Sequence, residues 1–204
     1  MTKIKPLTLQ DLDQIVCCHM NCFPKTFLSS LGKKIISGYY ETCLKQNSDF
    51  TFGLFDEDKL IGFVYGYLKN NQESPANCFA KQNRVKIFFA MLGQCFLLNR
   101  VVYKKIWNII LSKKTKTQKE ILESKNQIEG DLLSICLLPK YRGNGLSNQL
   151  LHKYESSLIA NKIYLYQLSV RKNNVAANKF YLKNGMKNVA ELEDSYIYRK
   201  ELIK

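Results

Sequence analysis

The sequence predicts an α/β (α+β) chain with a central mixed, largely antiparallel twisted sheet, flanked by helices and carrying a helical insert after the third strand. Three observations predict it. An apolar run beginning at Asp131 passes Leu138 into a loop holding Gly143 and Gly145, after which residues 148–160 read as a helix. A second passage, from Leu168 through Asn174 to Gly185 and Met186, reads as strand, turn, helix and C-terminal cap before another strand. Near the N-terminus, the β-rich runs 50–55 and 60–68 flank the turn residues Asp56 to Lys59, as in a hairpin.

Taken in order, Ile4 to Leu7 form a short first strand. Thr8 or Asp11 then caps a helix whose apolar positions Leu12, Ile15, Val16 and His19/Met20 recur at helical spacing, and Pro24 ends or redirects it. A second helix runs from a Ser cap at 29 or 30 towards Leu44. After the hairpin comes an insert, residues 71–126, with two helices over 85–98 and 101–111 that are apolar over much of their surface. Strand order resumes at Ile128, and residues 195–203 alternate as a last strand. Neither apolar run of the insert reaches the ~18 residues of a membrane span. The sequence holds no internal repeat and no nucleic-acid module with interleaved aromatics.

At 204 residues, with 46% hydrophobic and 24% charged, the chain is sized for one domain with a full core, taken as 1–204. Its 31 Lys and Arg against 17 Asp and Glu give a formal charge of +14, which points to an anionic partner. The surplus is localised. Between Glu73 and Glu120 there is no acidic residue, while Lys81, Arg84, Lys86, Arg100, Lys104, Lys105 and further lysines up to Lys119 fall inside. Three roles suit this basic insert: covering the sheet and walling an acceptor pocket, touching an anionic membrane or a lipid-linked substrate, or forming a dimer interface. Monomer and homodimer both stay open.

The seven cysteines (17, 18, 22, 43, 78, 95 and 136) contain no CxxC pair, and His19 and His152 are the only histidines. Neither a disulfide framework nor a zinc site fits that spacing, so no metal is expected and the thiols are expected to pack in apolar runs. No apolar stretch follows the first lysines, so no secretory signal is expected and a reducing cytoplasm is the expected location.

A strand that runs into a Gly-containing loop and opens a helix is suited to phosphate. Gly143 and Gly145 let consecutive N–H groups turn outward, and the following helix aims its positive end at the same point, so a pyrophosphate is the natural guest. Together, Arg142-x-x-Gly145-x-Ser147 and Asn174-x-x-Ala177-x-x-Phe180-Tyr181-x-x-x-Gly185-Met186 resemble the motifs of the GNAT N-acetyltransferase superfamily. The resemblance is close over 128–188 and looser over 1–68. Ser147 stands where the family carries Gly or Ala and is small enough to keep the loop open.

The resemblance implies a GNAT fold, acetyl-CoA as cosubstrate with no metal, and acetyl transfer to a primary amine of a small molecule by direct attack in a ternary complex. It places the cofactor against the backbone of Ile135, Cys136, Leu137 and Leu138, with an N–H near Cys136 or Leu137 on the thioester carbonyl. Arg142, Gly143, Asn144, Gly145, Leu146 and Ser147 would hold the pyrophosphate, and Asn174, Ala177 and Tyr181 would complete the cofactor side. Tyr181 stands at the position of the family's general acid. For the base, the strand before the loop offers Asp131, where many members carry Glu, and Glu129 two residues earlier, on the same face of a regular strand. Relatives that acetylate protein N-termini carry Glu at the position of Ser169, and a Ser cannot serve as that base. The 27–32 segment, the Tyr39-Tyr40 pair and the basic insert further resemble acetyltransferases of bacterial surface-polysaccharide synthesis, which implies an amino sugar on a nucleotide as acceptor. A protein or peptide amine as acceptor, and a cofactor-binding chain without catalysis, are the alternatives.

Overall fold

The computed structural model describes residues 1–46, 48–68, 73–96 and 130–202. Its strands are β1 (Thr2–Pro6), β2 (Thr51–Asp56), β3 (Lys59–Leu68), β4 (Gly130–Leu137), β5 (Leu165–Arg171), β6 (Lys187–Glu191) and β7 (Ser195–Glu201). They form one seven-stranded sheet in the order β1-β2-β3-β4-β5-β7-β6, antiparallel at every step except β4 to β5. The helices are α1 (Leu12–Cys22), α2 (Phe27–Ser30), α3 (Lys33–Gln46), α4 (Pro75–Gln82), α5 (Arg84–Phe96), α6 (Leu146–Ala160) and α7 (Val175–Lys183). The expected mixed, largely antiparallel sheet flanked by helices is what the chain adopts.

Helices cover both faces, and this explains why β2 and β3 read as continuous apolar runs instead of alternating ones. On one face Leu150, Leu151, Tyr154 and Leu158 of α6 pack with Val64, Leu132, Tyr166 and Leu168. On the other, Ile15 and Cys18 of α1 and Ile36, Tyr40 and Cys43 of α3 pack with Phe63, Tyr65 and Cys136. The approach of α6 is close: a Cβ at Gly66 would lie 2.3 Å from Cε2 of Tyr154, so only a glycine lets that ring seat against β3.

Several boundaries differ from the sequence expectation for identifiable reasons. The first strand starts at Thr2 because Thr2 and Lys3 pair with Asp56 and Phe55. The single helix expected towards Leu44 is split into α2 and α3 around Leu31 and Gly32, and Thr26, not Ser29 or Ser30, is the cap, accepting the Ser29 N–H at 3.3 Å. Helix α4 was not expected, although Ser74 accepting from the Asn77 N–H at 3.3 Å and Pro75 at the first position are ordinary start signals. The insert helix expected over 85–98 is α5. The one expected over 101–111, the strand start at Ile128 and the candidate base Glu129 lie outside the described residues. Helix α6 starts at Leu146, ahead of the expected 148. Among the described residues no helix is long and apolar enough to cross a membrane.

Candidate active site

The parallel pair β4–β5 is joined only at Gly130↔Tyr166 and Asp131↔Gln167, so from Leu132 onward the two strands separate. A bulge at Leu133 accompanies the divergence: Leu132 pairs with Gly66 and Ser134 with Tyr65, leaving one extra residue on β4. Beyond it the Leu138 N–H donates to the Ile61 carbonyl at 2.8 Å. Alternate residues of an antiparallel ladder turn both backbone groups to the same neighbour, so Cys136 also faces β3, while Ile135 and Leu137 face the gap. At that edge the Leu137 carbonyl accepts from Nε of Arg142 at 3.0 Å.

The gap leads to the glycine loop. Gly143 and Gly145 have φ of 91° and 74°, and a Cβ on either would meet nothing within 4 Å, so backbone conformation rather than crowding demands glycine, and the space beside the loop is open. Gly145 is the N-cap of α6 and no side chain caps that helix. Its leading N–H groups, at Leu146 and Ser147, precede the first intrahelical bonds, which run from Asn148 and Gln149 to the Gly145 carbonyl. Gly143, Asn144 and Gly145 are exposed. The Arg142 side chain contacts the Leu137 carbonyl through Nε and lies beside the Cys22 thiol.

Helix α7 follows β5 and packs in the same core as α6. Asn174 caps it, its Oδ1 accepting from the Ala177 N–H at 3.2 Å. Tyr181 is 5% exposed in the same core as Ala177 and Phe180. Burial pushes its phenol pKa well up, so it keeps its proton at neutral pH. Two asparagines that the motifs left unassigned tie the parts together. Asn178 donates to the carbonyls of Arg171, Lys172 and Asn174 and accepts from the Tyr198 hydroxyl at 3.0 Å. Asn184 donates to Asn148 Oδ1 at 3.2 Å and to the Phe180 carbonyl, bridging the start of α6 to the end of α7.

Asp131 sits at the last rung before the gap. Its carboxylate accepts from Nε2 of Gln167, buried on β5, at 3.3 Å, and Tyr67 stands opposite it on β3. Burial first, then the Asp131 charge, pushes the Tyr67 phenol upward. Gln167 and Tyr67 were not singled out from the sequence; a lone amide inside the apolar strand Leu165–Arg171 was the available signal. Ser169 is exposed.

The α1/α3 side of the sheet is rich in titratable groups. Nδ1 of His19 and the Tyr40 hydroxyl are 2.8 Å apart in the core, and burial lowers the His19 pKa to about 4. Cys43 is fully buried, and burial pushes it up to about 12. Folding also brings Cys136, distant in sequence, to Cys18 and Cys22, with all three sulfurs within 4.8 Å of one another. Beside them a cavity of about 400 Å³ is lined by Gln14, Cys17, Cys18, Lys59, Leu138 and Lys140. It lies on the α1 and β3 side of Leu138, away from the β4–β5 gap.

The model of the acetyltransferase (GNAT) family matches residues 103–186, which include β4, the glycine loop and α7 up to its capping glycine. Over those residues the chain is similar to the GNAT acetyltransferase family. No curated protein matches the sequence significantly. Solved structures share the GNAT fold over nearly the full length. The PaiA N-acetyltransferase of Thermoplasma acidophilum, in complex with coenzyme A, is 16% identical with a TM-score of 0.60, covering 98% of this chain and 99% of that one. The ribosomal-protein-S18-alanine N-acetyltransferase of Escherichia coli is 14% identical with a TM-score of 0.60, covering 100% and 96%. Arabidopsis thaliana Naa50, bound to a bisubstrate analogue of CoA and a peptide, is 16% identical with a TM-score of 0.57, covering 98% and 99%. At these identities the likeness of this chain to them is one of fold.

Proposed function

We propose that this chain transfers the acetyl group of acetyl-CoA to the primary amine of a small molecule by direct attack in a ternary complex. The observation that carries the reading is the β4–β5 gap, which among the described residues leaves Ile135 and Leu137 without a partner strand and ends at the start of α6, where no side chain caps the helix. An extended pantetheine with two amides would add to that edge as a strand does, and its pyrophosphate would meet the N–H groups of the loop from Gly143 to Ser147. Of the two backbone donors considered for the thioester carbonyl, Leu137 is favoured, because Cys136 faces β3.

The roles then follow from the chemistry. Asp131 takes the proton of the attacking amine, directly or through water, with Glu129 as the other candidate. The Leu137 N–H stabilises the negative charge that develops on the carbonyl oxygen as the N–C bond forms. Tyr181 gives its proton to the sulfur as the C–S bond breaks. Tyr67 and Gln167 flank Asp131 and hold its carboxylate at the mouth of the gap.

For the acceptor, a compact amine is favoured by the aromatic lining beside Asp131 and by Ser169, which lacks the carboxylate of protein N-terminal acetyltransferases. An amino sugar on a nucleotide remains the preferred member of that class, its diphosphate matched to the basic insert. The second reading, a peptide amine, has support in the N-terminal acetyltransferases among the fold's neighbours. Calorimetry with acetyl-CoA, followed by thiol release against amino-sugar nucleotides, polyamines, amino acids and peptides, tests both. Turnover confined to peptides would replace the first reading with the second, and absence of acetyl-CoA binding would remove both.

A further inference from the structure

Cys18 and Cys22 are four residues apart on α1 and therefore stack on one face of that helix. The face lies against β4, where Cys136 points to the same side of the sheet. The Cys18 sulfur is 3.9 Å from that of Cys22 and 4.0 Å from that of Cys136. Packing accounts for a buried thiol such as Cys43, which lies among phenol rings, but it gives no reason for three sulfurs to converge. With two of the sulfur pairs at 3.9 and 4.0 Å and all three within 4.8 Å, the sulfurs enclose a point roughly 2.3–2.5 Å from each, close to the ~2.3 Å zinc–thiolate bond length. An all-sulfur set selects a soft or borderline cation over magnesium or calcium. Three thiolates around a divalent ion carry a single net negative charge, and the Arg142 guanidinium beside Cys22 supplies its counter-charge. Cys22 is half-buried, leaving a route in from solvent.

We propose that Cys18, Cys22 and Cys136 form a three-thiolate site for one zinc(II) ion that clamps α1 to β4. On binding, each thiol gives its proton to solvent, three S–Zn bonds form and no electron is transferred. A tetrahedral ion held by three protein ligands keeps its fourth position for water or another donor. The clamp fixes the helix on the α1/α3 side to the strand that borders the gap, and it is independent of which acceptor the chain uses.

The test uses the reduced, untagged, metal-free full chain titrated with zinc against a chromophoric chelator, and with cobalt(II) as a spectroscopic stand-in. The wild type binds one equivalent, releases protons in proportion and shows a thiolate-to-cobalt charge-transfer band. Cys22→Ser is nearly isosteric at a half-buried position and lowers zinc affinity about a hundredfold. Cys17→Ser, exposed on the same helix and outside the cluster, binds as the wild type does. Zinc raises the Tm of the wild type and of Cys17→Ser but not of Cys22→Ser. Failure of the wild type to compete with the chelator, or equal affinity in Cys22→Ser, makes the three sulfurs packing groups and overturns the proposal.

Discussion

The two faces of the sheet bury side chains of different chemistry. The α6/α7 face holds aliphatic side chains and tyrosines, two of which place their hydroxyls on fixed partners: Tyr166 donates to Glu155 at 2.6 Å and Tyr198 to Asn178 at 3.0 Å. Glu155, 7% exposed, is matched in turn by Lys200 at 2.7 Å. The α1/α3 face holds the thiols of Cys18, Cys43 and Cys136, the His19–Tyr40 pair and, among the described residues, the buried His19 Nε2 and Tyr65 hydroxyl without hydrogen-bond partners. The first face pairs most of its polar groups and, among the described residues, leaves the buried Tyr154 hydroxyl without a hydrogen-bond partner. The second buries groups that change charge or bind soft ligands, and a buried group of that kind costs stability unless a partner arrives. The lesson is that one sheet buries different chemistry on its two sides, tyrosines and a carboxylate held by partners on one and thiols with a histidine on the other.

The sharpest break in the first face is Gly66→Val, which drives a side chain into Tyr154. It costs about 4 kcal/mol, above the usual overpacking penalty, and urea unfolding checks it. On the second face, His19 has its pKa lowered from 6.5 to about 4 by burial. The unfolded chain binds that proton first, so the stability from neutral His19 is complete above pH 6.5 and is lost as pH falls towards 4. His19→Gln should remove roughly 3 kcal/mol of that acid loss, seen by comparing unfolding free energies at pH 7 and pH 4. An identical pH slope in the variant would show that the second face does not titrate.

Where the first face meets the gap, Tyr181→Phe should lower kcat about a hundredfold with acetyl-CoA affinity nearly unchanged. Unchanged turnover would leave Tyr181 as a packing residue like its neighbours. Gly145→Val places a β-branched residue at a φ of 74°, and the displaced loop should bind acetyl-CoA about thirtyfold more weakly by calorimetry, from roughly 2 kcal/mol of strain. The smallest effect is expected for Asn184→Ala, which removes the bridge to Asn148: about 1 kcal/mol of stability by thermal unfolding, with a modest rise in KM for acetyl-CoA.

What the sequence disclosed depended on whether the signal was local. The strand–loop–helix around Gly145 and the capped helix from Asn174 to Gly185 were legible because turn chemistry and capping act within a few residues. The break at Leu31 and Gly32 was not, because apolar spacing continues across it and only Thr26 marks the second start. The pairing of Asp131 with Gln167 and the bridge from Asn148 to Asn184 each span 36 residues and come from tertiary packing. Cys18 and Cys22 share a helix face by their four-residue spacing, but Cys136 lies 118 residues from Cys18, so its place beside them leaves no trace in the sequence.

Along the hydrogen-bond ladder, the seam between β4 and β5 is two rungs wide, while β3–β4 and β5–β7 are each paired over seven positions. Amide exchange should therefore divide at this seam. Without ligand, the Ile135 and Leu137 amides exchange freely beside protected neighbours that face β3. A ligand that supplies the absent strand should slow those two amides selectively, giving a readout of occupancy at single-residue resolution that needs neither turnover nor a known acceptor.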